Sequence, residues 1–143
     1  MSVHQLIYSS SPSKKVLKSH LYIILRQARK NNKIIGVTGL LIYSGRHFFQ
    51  ILEGEKKVVS ELFQRISSDK RHSGIQILCE NDVDFRSFPS WEMAYATPSA
   101  KELATWSGLQ STTTVEATIS SLKSEPSRIM DVLLNVLEKS PLS

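Results

Sequence analysis

Apolar and polar positions recur along this chain with periods that change from segment to segment. Val3–Ser9 is rich in β-formers and reads as a strand, closed by a loop over 10–15 that contains Pro12. Over residues 16–30 the period becomes helical, with Leu17, Leu21, Ile24 or Leu25, and Ala28 on one side. Asn31-Asn32 ends that pattern, since Asn is a poor interior helix residue and tolerates C-cap geometry. Val37–Tyr43 and Arg46–Glu53 are apolar runs joined by Ser44-Gly45, the spacing of a tight hairpin. A second helix follows Gly54, with Glu55 in its first turn and Val59, Leu62, Phe63 and Ile66 on its buried side; the cluster 67–73 breaks it. Gly74–Glu80 and Ser90–Thr97 are two more strands. In the second, Trp91, Met93 and Tyr95 alternate with smaller or polar residues, which predicts that all three share one face.

The order β-α-β-β-α-β-β predicts an α+β fold. It is the ferredoxin-like βαββαβ arrangement plus a fifth strand, with a mixed sheet and two helices on one face. That unit spans 1–97. Residues 98–143 form a helical extension, with helices near 99–106 and 126–139. Val132, Leu133, Val136 and Leu137 make an apolar stripe on the last helix. Such a stripe must be covered, by the other face of the sheet or by a second copy of the chain in a homo-oligomer.

Composition agrees with one globular domain: 143 residues, 41% hydrophobic and 22% charged, with six glycines and five prolines. The lone Cys79 has no bridging partner and lies in the run IQILC, as a buried structural thiol in a reducing compartment would. No apolar leader and no run of roughly 20 apolar residues is present, so the expected location is the cytoplasm. The net charge of +5 and pI near 9.4 suit a solvated basic surface, a phosphate-bearing cofactor or a nucleic acid. The basic groups are spread out, apart from Lys14, Lys15 and Lys18 and the stretch 26–33.

Metal and hydrolytic chemistry find little support. The four histidines lack ligand spacing, there is no CxxC pair, and no nucleophile elbow, phosphate loop or dinucleotide fingerprint occurs. Gln50 stands out. It sits in FFQIL with apolar same-face neighbours Phe48 and Leu52, and a buried amide left unpaired costs about 1–3 kcal/mol. Tyr8 follows Leu6 on its own strand face in the same way. Taken singly, Tyr8, Gln50, Trp91 and Met93 also read as satisfied structural residues, and the Asn pair as a helix cap.

Together these positions carry a pattern: L-I-Y-S (6–9), N-N-x(3)-G-V-T-G-L-L (31–41), F-F-Q-I-L-E-G (48–54), D-K-R-H (69–72) and R-S-F-P-S-W-E-M (86–93). In order and spacing the chain resembles the BLUF family, the flavin-binding blue-light sensors of bacteria, over about residues 2–97. The resemblance implies a noncovalent flavin, FAD with FMN as the alternative, inserted between the two helices. Asn31 and Asn32 then meet its pyrimidine edge, Ile24 and Ile66 sandwich the ring, and Arg65 and Arg71 stand near the ribityl-phosphate end. It further implies light-driven electron and proton transfer from Tyr8, and a Gln50 amide left rotated or tautomerised in a red-shifted signalling state. Trp91 and Met93 relay the change to residues 98–143, and from there to a separate effector protein. Ala28 departs from the serine that many members carry there. On this reading the chain is a sensor and not an enzyme. Two other readings are a ferredoxin-like nucleic-acid-binding module, which needs exposed sheet aromatics, and a flavin enzyme, for which the chain is short.

Overall fold

The computed structural model describes residues 2–13 and 18–143. Lys14, Lys15 and Leu17 lie outside the described residues, as does the side chain of Lys18. The elements are β1 (Val3–Pro12), α1 (Lys18–Ile35), β2 (Thr38–Ser44), β3 (His47–Gly54), α2 (Lys56–Ser67), β4 (His72–Val83) and β5 (Ala94–Ala96). Then follow α3 (Ala100–Trp106), α4 (Val115–Ser124), a 3₁₀ turn at Pro126–Arg128 and α5 (Ile129–Lys139). The sheet order is β4-β1-β3-β2-β5, with β5 parallel to β2 and the other pairs antiparallel. This is the expected ferredoxin-like α+β arrangement with an added edge strand.

Alternate residues of the strands feed two cores. One face carries Leu6, Tyr8, Leu41 and Leu52 against Leu25 of α1 and Val59 of α2. The other carries Ile7, Ile42, Phe49 and Ile51 against α3, α4 and α5. The α5 stripe therefore closes within the chain: Val132, Leu133 and Val136 are fully buried on the sheet, each worth about 1.5–3 kcal/mol of transfer free energy. That stripe no longer argues for self-association.

Several boundaries differ from the sequence expectation for local reasons. Strand β1 continues past Ser9 to Pro12, pairing Ser11 with Ser73 and Pro12 with His72 beyond two register shifts. Its pairing with β3 stops at Ser10, so Pro12 sits on a local edge where no ladder donor is lost. Helix α1 does not stop at Asn31-Asn32; both asparagines lie inside it. It ends at Gly36, whose φ of 73° lets the Val37 N–H reach back to the Asn32 carbonyl at 3.0 Å, a Schellman closure. The hairpin turn is Gly45-Arg46 and not Ser44-Gly45: Ser44 pairs with His47, and φ values of 53° and 64° at the two turn residues match a type I′ turn. Glu55 is the N-cap of α2 and not part of its first turn.

Strand β4 is longer than expected. Its polar end pairs with β1, and Glu80 and Asp82 grip the His4 ring at 2.8 and 2.7 Å. Cys79 is half-buried there and accepts from Asn81 at 2.9 Å. Strand β5 is only three residues, so Trp91 and Met93 precede it. Trp91 packs with the α3–α5 core while Met93 and Tyr95 pack with the α1–α2 core, so the three do not share a face. Helix α4 was not expected, because its Ser/Thr-rich sequence shows little apolar contrast. It starts at Thr114, whose hydroxyl accepts from the Ala117 N–H at 3.1 Å, and it buries Val115, Ile119 and Leu122.

Candidate functional site

Cross-strand pairing aligns Ile77, Tyr8, Gln50, Leu41 and Tyr95 in one row across the α1–α2 face. Tyr8 and Gln50 are direct partners in that row, 3% and 7% exposed. The Tyr8 hydroxyl donates to Gln50 Oε1 in a short hydrogen bond. Gln50 Nε2 then donates to the Met93 sulfur at 3.2 Å. The ring of Phe63 from α2 meets Tyr8 edge-on, with centroids 5.3 Å apart. A phenol, an amide and a thioether thus form one buried chain, with the amide between a strong partner and a weak one.

The backbone that delivers Met93 is held from α1. Asn32 Nδ2 donates to the Glu92 carbonyl at 2.7 Å, and Arg29 Nε to the Met93 carbonyl at 2.9 Å. The Gly39 N–H reaches the Trp91 carbonyl at 3.1 Å. Farther back, Arg86 reaches the Gly36 carbonyl at 2.7 Å, Thr38 Oγ1 at 2.9 Å and the Glu53 carbonyl at 3.2 Å. Arg29, Glu53 and Arg86 were missed from sequence. Only Glu53 left a local signal there, a carboxylate inside an apolar strand.

The other expected site residues divide. Asn32 is buried against the 92–93 segment, whereas Asn31, one position on, is exposed. Ile24 and Ala28 are half-buried on α1, and half-buried Ile66 of α2 packs on the same core as Tyr8. Arg65 is exposed. Arg71 is exposed and engaged in its own turn, donating through Nε and Nη2 to the Asp69 carboxylate. That hydrogen bond holds Asp69 below the usual carboxylate range. Trp91 lies across the sheet from Gln50.

Burial pushes the Tyr8 phenol well above the ordinary tyrosine value of 10.0. Folding favours the protonated form, so this stabilisation is complete below the unfolded value of 10.0 and is lost as pH climbs through the folded one. In an alkaline titration the Tyr8 tyrosinate signal, isolated by difference against Tyr8→Phe, is expected only together with loss of the fold. An independent early Tyr8 transition would contradict this.

Helices cover both sheet faces, so the open aromatic platform of a base-stacking module is not present among the described residues. Helix α1 has five cations and no acid, and the remaining cations and acids are equal in number, so the whole excess of +5 resides in that one helix. Among the described residues no helix is long and apolar enough to cross a membrane.

Comparison with known proteins finds the family model described as BLUF, sensors of blue-light using FAD, over residues 3–94. The photo-activated state of BlsA superposes with a TM-score of 0.80 and 31% identity, covering 94% of each chain. The dark-state structure of BlrB, a BLUF protein, superposes at 0.74 with 29% identity, covering 94% of this chain and 95% of that one. A photoactivated adenylate cyclase subunit alpha of Euglena gracilis is 34% identical over 85 residues, which are 59% of this chain and 8% of that protein.

Proposed function

The chain belongs to the BLUF family of flavin-using blue-light sensors, and from that premise we propose that Tyr8 and Gln50 are its photochemical switch. The observation that carries this is the buried Tyr8–Gln50–Met93 chain, in which one amide holds a phenol at its oxygen and a thioether at its nitrogen. The amide has a second N–H, and a thioether is a weak acceptor, so Gln50 can also serve a carbonyl-bearing ring. We place that ring between α1 and α2, flanked by Ile24 and Ile66, with Asn31 and Asn32 at its polar edge. Asn32 has given one N–H to Glu92, which leaves its second N–H as a donor and its carbonyl oxygen as an acceptor. The cofactor is FAD, with FMN as the alternative. Arg65 is the cation for its phosphate end; Arg71 can reach it only by leaving Asp69.

Excited by blue light, a bound flavin supplies a strong one-electron oxidant. Tyr8 would give up an electron to that oxidant while its proton passes along the hydrogen bond to Gln50, and on recombination an electron and a proton would return to Tyr8. The Gln50 amide is then left rotated or tautomerised, with its donor and acceptor ends exchanged. A carbonyl turned toward Met93 meets a sulfur with no hydrogen to donate, so the Met93 contact is lost and its flexible side chain moves. Trp91, two residues upstream on the other core, carries the shift to α3–α5, the output segment 98–143. The chain turns over no substrate; its output is a changed contact with a separate effector protein.

The test is an absorption spectrum of purified protein, reconstituted with FAD, before and after blue light. The expected result is a yellow protein with a red shift that reverses in the dark. A protein that stays colourless after reconstitution, or one that holds flavin without any shift, overturns the reading.

A further inference from the structure

Two backbone oxygens from distant parts of the chain converge on one guanidinium. Arg29, half-buried on α1, donates from Nε to the Met93 carbonyl at 2.9 Å and from Nη2 to the Ser143 carbonyl at 2.5 Å. Ser143 in turn exchanges both backbone hydrogen bonds with Tyr95, each 3.1 Å, and so flanks β5 on the side away from β2. Met93 is the residue whose sulfur accepts from Gln50. A continuous path therefore runs from the Gln50 amide through Met93 and Arg29 to the residues that follow α5. Arginine suits this place because its planar fork presents several N–H donors in fixed directions, so one side chain spans two carbonyls.

We propose that Arg29 is a positioning residue that latches the segment following α5 to the Met93 backbone. While residues 92–93 keep their place on α1, the fork closes on both carbonyls and holds Ser143 against Tyr95. Displacement of Met93 opens the fork and loosens the Tyr95–Ser143 pair. The trigger rests on the blue-light reading above; the latch itself does not.

Amide hydrogen exchange measured by NMR on the full chain separates the two. In darkness, Arg29→Ala is expected to speed exchange of the Tyr95 amide roughly tenfold, the equivalent of one charge-assisted hydrogen bond. The core amides of Leu52 and Leu133 should keep their protection, which a merely destabilised fold would not allow. Arg29→Lys retains the cation but not the rigid fork. It should move Tyr95 in the same direction, and it provides the comparison if the alanine variant loses core protection. Illumination should bring wild-type Tyr95 toward the Arg29→Ala value and add nothing in the variant, while the red shift persists in both. Unchanged dark exchange in the variants overturns the latch, and a light-dependent difference retained in Arg29→Ala overturns its coupling to Met93. If the wild type shows no red shift, the blue-light reading fails, and the dark comparison still decides the latch.

Discussion

Replacing Gln50 with leucine should abolish the light-induced red shift completely while leaving the flavin bound. The side chain occupies a position where shape and hydrogen bonding separate cleanly. Leucine is close in size and apolar, so the volume beside Leu41 and Tyr8 stays filled. What disappears is the amide that accepts from Tyr8 and donates to Met93. The Tyr8 hydroxyl is left buried without its acceptor at a cost of about 1–3 kcal/mol, offset in part by the added apolar side chain. The variant should therefore fold and hold its cofactor but have no group whose ends can be exchanged. Tyr8→Phe is the complementary deletion. It removes the electron and proton source while keeping the edge contact with Phe63, so the normal photocycle should be lost here too. Difference spectra under blue light, recorded on flavin-loaded samples of both variants, decide the matter. A wild-type shift in Gln50→Leu would show that the amide is not the switch.

The elements that could be read from the chain are those whose apolar period is long and unbroken. Strands β1 to β3, the cores of α1 and α2 and the stripe of α5 all fall in this group, and with them the ferredoxin-like order. Tyr8 and Gln50 were visible as polar residues at apolar positions, but their pairing is a property of register between β1 and β3. Failures came where a distant contact outweighed a local preference. Asn31-Asn32 should end a helix by propensity; Gly36 ends it later, and Asn32 is held inside by a carbonyl on the far side of β2. Trp91 and Met93 alternate as a strand would, yet pairing begins only at Ala94, and the bend before it sends them to opposite cores. Arg29 had no signal at all, since each of its partners is a main-chain oxygen that no residue type announces.

Glu53 carries a large expected stability effect for a polar side chain. It is 0% exposed, yet its carboxylate is satisfied by three donors. Gln5 Nε2 reaches Oε2 at 2.7 Å, the Ser87 N–H reaches the same oxygen at 2.8 Å, and the Phe88 N–H reaches Oε1 at 2.8 Å. Two of those donors belong to the loop that leads from β4 to Met93, so Glu53 pins that loop to the sheet. Glu53→Ala takes the acceptor from all three donors, of which only Gln5 keeps another partner (Ser87 Oγ at 3.2 Å), and opens a cavity, at a cost of about 3–5 kcal/mol. For a chain of this size that corresponds to a thermal midpoint lower by about 10–17 °C. Glu53→Gln tests the cause. It keeps the volume, but its NH2 must face either the Phe88 N–H or the pair from Gln5 and Ser87, so it should still destabilise by about 1–3 kcal/mol. In flavin-loaded protein the same variants should speed dark recovery, because the segment that brings Met93 to Gln50 is no longer tethered. Thermal unfolding and recovery kinetics on both variants check the argument. A glutamine variant as stable as the parent would mean that side-chain volume, and not the three donors, holds the loop in place.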